Sequence, residues 1–124
     1  MIKEIRAIIR REKFEDVKQA LSEIGIVGLN VVEIRGRGRG AGMRIHGRTG
    51  DYTIDLLPRT QINIVLSERN VESTISVIKK AAYTGDPGDG VIFVYPVDNV
   101  IRISTDEEGQ DALMYQGDID TRVH

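Results

Sequence analysis

Apolar residues in the first 34 positions follow a strand-like pattern, then a helical one, then a strand-like one again. An isoleucine-rich run over residues 2–10 predicts a short, buried strand. Four apolar residues then recur at helical spacing until Gly25 ends the pattern, and residues 27–34 predict a second strand. This half of the chain is therefore predicted to form a β-α-β unit. The helical positions are Phe14, Val17, Leu21 and Ile24.

The second half of the chain repeats that order. Isoleucine and leucine alternate over residues 62–66 as in a strand, and an amphipathic helix follows, with Ser67 or Asn70 as its predicted cap. Dense turn chemistry at 83–90 is compatible with an anion-binding concavity or with an ordinary tight connection. A continuous apolar strand is predicted at 91–95, ended by the proline that follows. The helical positions are Val71, Ile75, Ile78 and Ala82.

Each β-α-β unit is too small for a doubly wound sheet, but two right-handed units can interleave. The predicted fold class is α+β: a ferredoxin-like β-α-β-β-α-β sandwich whose four-stranded antiparallel sheet carries both helices on one face. The second sheet face is apolar and predicts self-association. We expect the domain to span residues 1–105, followed by an acidic tail at 106–124 that is partly disordered or docked only locally.

A loop rich in glycine and arginine separates the two units. Between residues 36 and 50 it holds six glycines, and no acidic residue lies between Glu33 and Asp51. Glycine leaves the backbone free to move and arginine binds anions through forked hydrogen bonds, so the loop is predicted to grip an anionic group. The arginines in or beside it are Arg35, Arg37, Arg39, Arg44 and Arg48.

Three other interpretations of this loop are weaker. The spacing Gly36-x-Gly38-x-x-Ala41 matches a dinucleotide fingerprint, but more glycine follows where a helix must begin. A nucleic-acid-binding segment usually interleaves aromatic residues for base stacking, and none occurs in the loop before Tyr52. A solvated flexible loop explains the glycines but not the clustered positive charge.

Composition narrows the class of function. The chain of 124 residues has a formal net charge of -2 and no cysteine, which argues against wholesale nucleic-acid binding and excludes thiol chemistry. His46 and His124 are isolated and no nucleophile has a neighbouring base, so we predict no metal site, no catalytic residues and no enzyme activity. The first residues lack an apolar run suited to a signal peptide or membrane span, and a cytoplasmic location is expected.

Two segments, GDYTIDLLPR at residues 50–59 and TGDPGDGVIFV at residues 84–94, stand in the order and spacing of a known family. Over residues 1 to about 113 the chain resembles the PII nitrogen-regulatory proteins. The resemblance implies a homotrimer that binds adenine nucleotide in clefts between subunits. It also implies that a long T-loop, at about 37–55, engages a target protein whose identity the sequence does not reveal. The turn at about 83–90 corresponds to the family's B-loop.

The resemblance also assigns roles to individual residues. Arg39 and Arg102 are expected to face phosphates, and the backbone of the B-loop glycines allows close approach of the ligand. Arg37, Gly40 and Arg59 are expected at an effector site at the T-loop base, and Tyr52 matches a tyrosine that some members nucleotidylate. The nucleotide-binding residues implied by position are Asn30, Gly38, Arg39, Val65, Gly88, Asp89, Gly90 and Arg102.

Several positions depart from the family pattern. Val91 and Ser104 replace basic residues and Asp86 replaces a lysine, so ADP or AMP is expected to bind at least as well as ATP. Gly40 replaces the glutamine that helps to hold magnesium and 2-oxoglutarate, which argues against sensing of 2-oxoglutarate, although Arg59 keeps a charge suited to a carboxylate. The alternatives are a relative whose cleft binds another small anion and controls another pathway, and a basic-loop nucleic-acid-binding module.

Overall fold

The protein folds as the ferredoxin-like sandwich that the sequence predicts. The structure is a computed structural model that describes residues 1–37, 43–54 and 56–122. Residues 43–45 and 52–54 are described by their backbone alone. The strands and helices are β1 Ile2–Arg10, α1 Phe14–Glu23, β2 Asn30–Gly36, β3 Met43–Gly47, β4 Gly50–Ile54, β5 Leu57–Ser67, α2 Val71–Ala82 and β6 Gly90–Val97.

The main sheet has the strand order β2-β5-β1-β6, with every neighbouring pair antiparallel. Residue Ile5 of β1 lies between Ile64 of β5 and Val94 of β6, which fixes the register. The two β-α-β crossovers interleave in this order, because β1 and β5 become the central pair and β2 and β6 the edges. The predicted fold class is confirmed.

One face of the sheet packs against both helices to form the core. Alternate residues of the central strands are fully buried there, together with the apolar stripes of α1 and α2. The opposite face is only partly covered: Phe93 is 44% exposed and Tyr95 is 39% exposed. The principal core side chains are Ile5, Ala7, Val17, Leu21, Ile62, Ile64, Leu66 and Ile78.

Element bounds differ from the predicted ones at three strands. The strand predicted at 27–34 begins at Asn30, and the strand predicted at 62–66 extends over Leu57–Ser67. Strand β6 continues through Pro96, which is tolerated because β6 is an edge strand.

Part of the Gly/Arg-rich loop is a β-hairpin. Strands β3 and β4 pair from Met43 opposite Ile54 to Gly47 opposite Gly50, so Arg48 and Thr49 form a two-residue turn. At its end, His46 Nδ1 lies 2.7 Å from Asp51 Oδ1, so this histidine has a carboxylate partner that its sequence neighbourhood did not suggest.

The start of α2 is held by the C-terminal tail and not by a local cap. Neither Ser67 nor Asn70 makes a side-chain capping hydrogen bond, so that prediction was wrong. Instead the carboxylate of Asp120, which is 3% exposed, accepts a hydrogen bond from the Ser67 amide at 3.1 Å and from Asn70 Nδ2 at 2.7 Å. A residue 50 positions from Asn70 along the chain therefore holds the segment that leads into this helix.

The rest of the tail, up to Arg122, also lies against the domain. Short 3-10 turns at Gly109–Leu113 and Ile119–Thr121 bury Ala112, Leu113 and Ile119. The amide of Ile119 donates to the carbonyl of Gly25 at 2.8 Å. The described part of the tail is therefore more extensively docked than its acidic composition indicated.

Both ends of the described chain reach the junction between β5 and α2. The carbonyl of Met1 accepts from the Glu68 amide at 2.9 Å, next to the Ser67 amide that Asp120 binds. Among the described residues, no helix is both long and apolar enough to cross a membrane.

Candidate functional site

The B-loop after α2 is closed upon the carboxylate of Asp89. Asp89 Oδ2 accepts from the amides of Thr84 at 2.8 Å and Gly85 at 2.9 Å, while Oδ1 accepts from the Thr84 hydroxyl and from Arg10 Nε at 3.1 Å. The Thr84 hydroxyl first, and then its amide, hold the pKa of the Asp89 carboxyl well below its ordinary range. The side chain of Asp89 thus fixes the loop shape, and any ligand contact at this residue falls to its main chain.

Two arginines border this loop. Arg10 ends β1 and pairs in register with Arg59 of β5, and Arg10 Nη2 donates to the Pro87 carbonyl at 2.7 Å. A Cβ at Gly88 would lie 3.0 Å from Arg59 Nη2 and 3.4 Å from Arg10 Nη2, so both guanidinium groups adjoin the loop backbone. Like charges on directly opposed positions are unfavourable, and a bound anion would relieve that repulsion.

Sequence reasoning assigned Arg59 to an effector site at the T-loop base, not to the B-loop, and it missed Arg10. Its position at the end of the first strand was visible, but its closeness to the B-loop depends on the β1–β6 pairing, which sets Ile9 opposite Gly90. Antiparallel pairing of a strand that ends in arginine with one that begins in Gly-Asp-Gly is the signal that would have found it.

Three further predicted nucleotide contacts among the described residues, Asn30, Val65 and Arg102, lie toward the opposite end of the sheet. Val65 pairs with Glu4, whereas Arg59 pairs with Arg10, and six residues of strand separate the two positions on β5, a span of ~20 Å. Asn30 pairs with Asn63, also away from the B-loop. Within one chain the predicted site is therefore divided into two groups. The near group lies at the B-loop and consists of residues 88–90 and Arg59. The far group consists of Asn30, Val65 and Arg102.

Arg102 belongs to the far group. It follows β6, whose last residue, Val97, pairs with Ile2 at the start of β1. Its guanidinium donates from Nη1 to Glu107 at 3.0 Å and from Nη2 to the carbonyls of Ala112 at 3.0 Å and Met114 at 3.3 Å. The ring centroid of Tyr115 lies 4.2 Å from its Cζ, in a cation–π contact.

A family described as nitrogen regulatory protein P-II matches residues 2–107 of this chain. The chain belongs to the P-II family. It is 51% identical over 112 residues to nitrogen regulatory protein P-II 2 of Methanothermobacter thermautotrophicus, an alignment that covers 90% of this chain and 97% of that relative. It is 46% identical over 112 residues to nitrogen regulatory protein P-II of Azospirillum brasilense, covering 90% of this chain and 100% of the relative.

The chain is longer than the segment that it shares with these P-II relatives. The family match starts at residue 2 and stops at residue 107, and the Azospirillum protein is covered in full by 112 residues of the chain. Residues 108–122, among which Ile119 and Asp120 are buried, lie beyond the family match. Docking of the tail is thus built from residues outside the shared family segment.

Several of the positions expected from P-II resemblance lie outside the described residues. These are Gly38, Arg39 and Gly40, and for Tyr52 only its backbone in β4 is described, opposite Ile45. Arg37 follows directly after β2. The three charge-changing departures from the P-II pattern, at Asp86, Val91 and Ser104, are all exposed. Roles in ligand binding for all of these residues stay predictions.

Proposed function

We propose that this P-II family protein is a cytoplasmic signal protein, not an enzyme, that binds adenine nucleotide and regulates a target protein through its T-loop at residues 37–55. The observation that carries the proposal is the division of the predicted contacts between two ends of one sheet. A single small ligand meets both groups only if the near end of one subunit adjoins the far end of another. The proposed unit is the homotrimer that the resemblance implies, whose head-to-tail contacts would place one cleft between each pair of subunits.

The open face of the sheet supplies a reason for association. Phe93 and Tyr95 are partly exposed on it in the single chain, and burying apolar surface of this kind favours oligomerisation. The same face carries Val65, so association would bring a predicted contact of the far group toward a neighbouring subunit.

At the near end, the phosphates would meet the backbone of residues 88–90 and the guanidinium of Arg59. Gly88 carries no Cβ, which allows Arg59 and Arg10 to lie close to the loop backbone, and charge-assisted hydrogen bonds from arginine suit phosphate oxygens. Asp89 contributes by holding the loop, as its carboxylate is already engaged.

The near group is coupled to the T-loop through β2 and β5. Arg59 lies opposite Ile34, and Gly36, the last residue of β2, lies opposite Leu57, so the T-loop leaves the sheet beside the proposed phosphate position. A ligand that contacts one T-loop conformation better than others shifts the population toward it. Nucleotide binding would thereby change the surface offered to a target.

The second candidate function is a P-II protein with a retuned nucleotide preference, which means that it binds ADP or AMP at least as tightly as ATP. The exposed residues Asp86, Val91 and Ser104 favour it. Loss of positive charge beside the phosphates weakens binding of a triphosphate more than that of a diphosphate or monophosphate. We therefore expect ADP or AMP to bind at least as tightly as ATP. Gly40, which stands where the resemblance expects a glutamine that helps to hold magnesium and 2-oxoglutarate, favours ligand control that is independent of both.

Titration calorimetry with ATP, ADP and AMP, each with and without magnesium and 2-oxoglutarate, tests these statements. Saturable binding of at least one nucleotide supports the proposed function, and equal or tighter ADP binding supports the retuned preference. A clear ATP preference would contradict the retuning alone. No binding of any adenine nucleotide would contradict the proposed function.

A mixing experiment tests whether the cleft is shared. We expect Arg59→Ala and Arg102→Ala each to weaken nucleotide binding, because each removes a cation from one half of every cleft. Coexpressed subunits of the two variants form mixed trimers in which one cleft has both arginines, and high-affinity binding should return. If mixing restores nothing although mixed trimers form, the two groups do not share a ligand.

A further inference from the structure

The guanidinium of Arg102 has little capacity left for a ligand. Both N–H groups of Nη2 are directed at main-chain carbonyls, those of Ala112 and Met114, and one N–H of Nη1 is directed at Glu107. Its Nε is buried and has no hydrogen-bond partner among the described residues, while Tyr115 lies against the guanidinium plane. Besides the buried Nε–H, only one N–H of Nη1 remains, so a forked contact with a phosphate requires existing bonds to break.

The segment that engages Arg102 is held at its far end by buried contacts. Ile119 lies in the core, and the carboxylate of Asp120 binds Ser67 and Asn70. Arg122 Nη1 donates to the Ile24 carbonyl at 3.0 Å. Only residues 115–118 lie between Met114 and this anchor, so the carbonyls of Ala112 and Met114 remain beside the guanidinium as long as the anchor is in place.

We propose that the C-terminal tail withholds Arg102 from nucleotide phosphate, so that the tail and the ligand compete for the same guanidinium. This inference rests on the proposed function, in which Arg102 of one subunit reaches the cleft. Glu107 is the charged competitor, and Tyr115 with the two carbonyls keeps the side chain in the withheld position. A nucleotide that engages Arg102 must release Glu107 and loosen residues 111–115, which links occupancy of the cleft to the order of the tail.

Calorimetry with ADP on variants of the full chain tests the competition. Glu107→Gln and Tyr115→Ala should each tighten ADP binding by about twofold to fivefold, because each weakens an alternative partner of Arg102. Glu108→Gln is the matched control, since Glu108 accepts from Asn99 and does not bind Arg102, yet loses the same charge. Tyr115→Phe retains the ring and should bind ADP as the unmodified chain does.

A second variant pair separates the contact with Arg102 from general charge effects. In an Arg102→Ala background, Glu107→Gln should leave ADP affinity unchanged, because the competed group is gone. Hydrogen exchange gives an independent measure: ADP should speed exchange of the amides in residues 111–115 of the unmodified chain, and not in the Arg102→Ala variant.

The outcomes distinguish this inference from the proposed function. If the unmodified chain binds ADP but Glu107→Gln behaves as Glu108→Gln does, or binds ADP more weakly, competition is refuted and nucleotide binding stands. If ADP binds only to the Glu107 and Tyr115 variants, the tail is a stronger competitor than stated and the inference is supported. If neither the unmodified chain nor any variant binds ADP, both statements fail.

Discussion

Gly90 is the position at which the B-loop meets the sheet most closely. Its φ is +118°, and a Cβ there would lie 1.8 Å from the Ile8 carbonyl oxygen, closer than any folded chain allows. The glycine therefore permits the antiparallel pairing of β6 with β1 that brings Asp89 to Arg10.

Replacement of Gly90 by alanine should be severely destabilising. Backbone overlap and a positive φ together should lower the free energy of unfolding by more than about 3 kcal/mol, measured by urea unfolding. Gly117→Ala is the control, since Gly117 has a φ of +84° but a Cβ there would meet no other atom within 4 Å. Equal effects in the two variants would show that backbone strain, and not contact with β1, limits this site.

The hydrogen bonds of Asp89 in the B-loop make the stability of the protein depend on pH. Its pKa is lowered in the folded state from an ordinary value of 3.8, so its contribution to stability is present above that value and is lost as the pH falls below it. The difference in unfolding free energy between the unmodified chain and Asp89→Asn should stay constant from pH 7 down to about 5 and shrink below about 4. A difference that does not change over this range would contradict the role given to its hydrogen bonds.

At the scale of elements, apolar runs located β1 and β6 and amphipathic spacing located α1 and α2, because contact with the core selects apolar residues in each of them. The hairpin β3–β4 was missed because its glycines indicated an irregular loop, and hydrogen bonding between Met43 and Ile54 leaves no trace in hydrophobic spacing. The start of α2 was misassigned for a related reason: its partner, Asp120, is distant in sequence.

The candidate site also has features that local sequence signals predicted and features that they missed. The B-loop was located by its turn residues, which are a local signal. Arg10, the closed bonding of Asp89 and the engagement of Arg102 by the tail all depend on contacts between distant segments. Local patterns therefore predicted where the near group lies, but neither the second arginine beside it nor the tail that binds Arg102.

Asp120 should contribute strongly to the docking of the tail. Asp120→Ala leaves the buried Ser67 amide and the Asn70 side chain without this acceptor, which should lower the free energy of unfolding by about 2–3 kcal/mol. Asp111→Ala removes an acidic side chain of the same tail that is exposed, and should change stability little. Urea unfolding of both variants measures the difference, and similar small losses would show that the tail adds little to the fold.

At the scale of the whole molecule, the open sheet face should control assembly. Light scattering is expected to give a mass about three times the 13.8 kDa of one chain. Phe93→Glu places a charge on that face and should reduce the mass toward one chain. Val27→Glu, at a residue that is 64% exposed, should leave the assembly intact. A Phe93→Glu protein of unchanged mass would place the contact between subunits elsewhere.

Because Met1 and Asp120 bind consecutive amides at the junction between β5 and α2, the protein is suited to circular permutation. A short linker can join the two ends, and new termini can be opened within residues 38–42. Such a permutant would keep the sheet order while cutting the covalent path between β2 and the hairpin. It would thereby separate two properties that the natural connectivity keeps together: recognition of a ligand in the cleft and mechanical transmission along the T-loop.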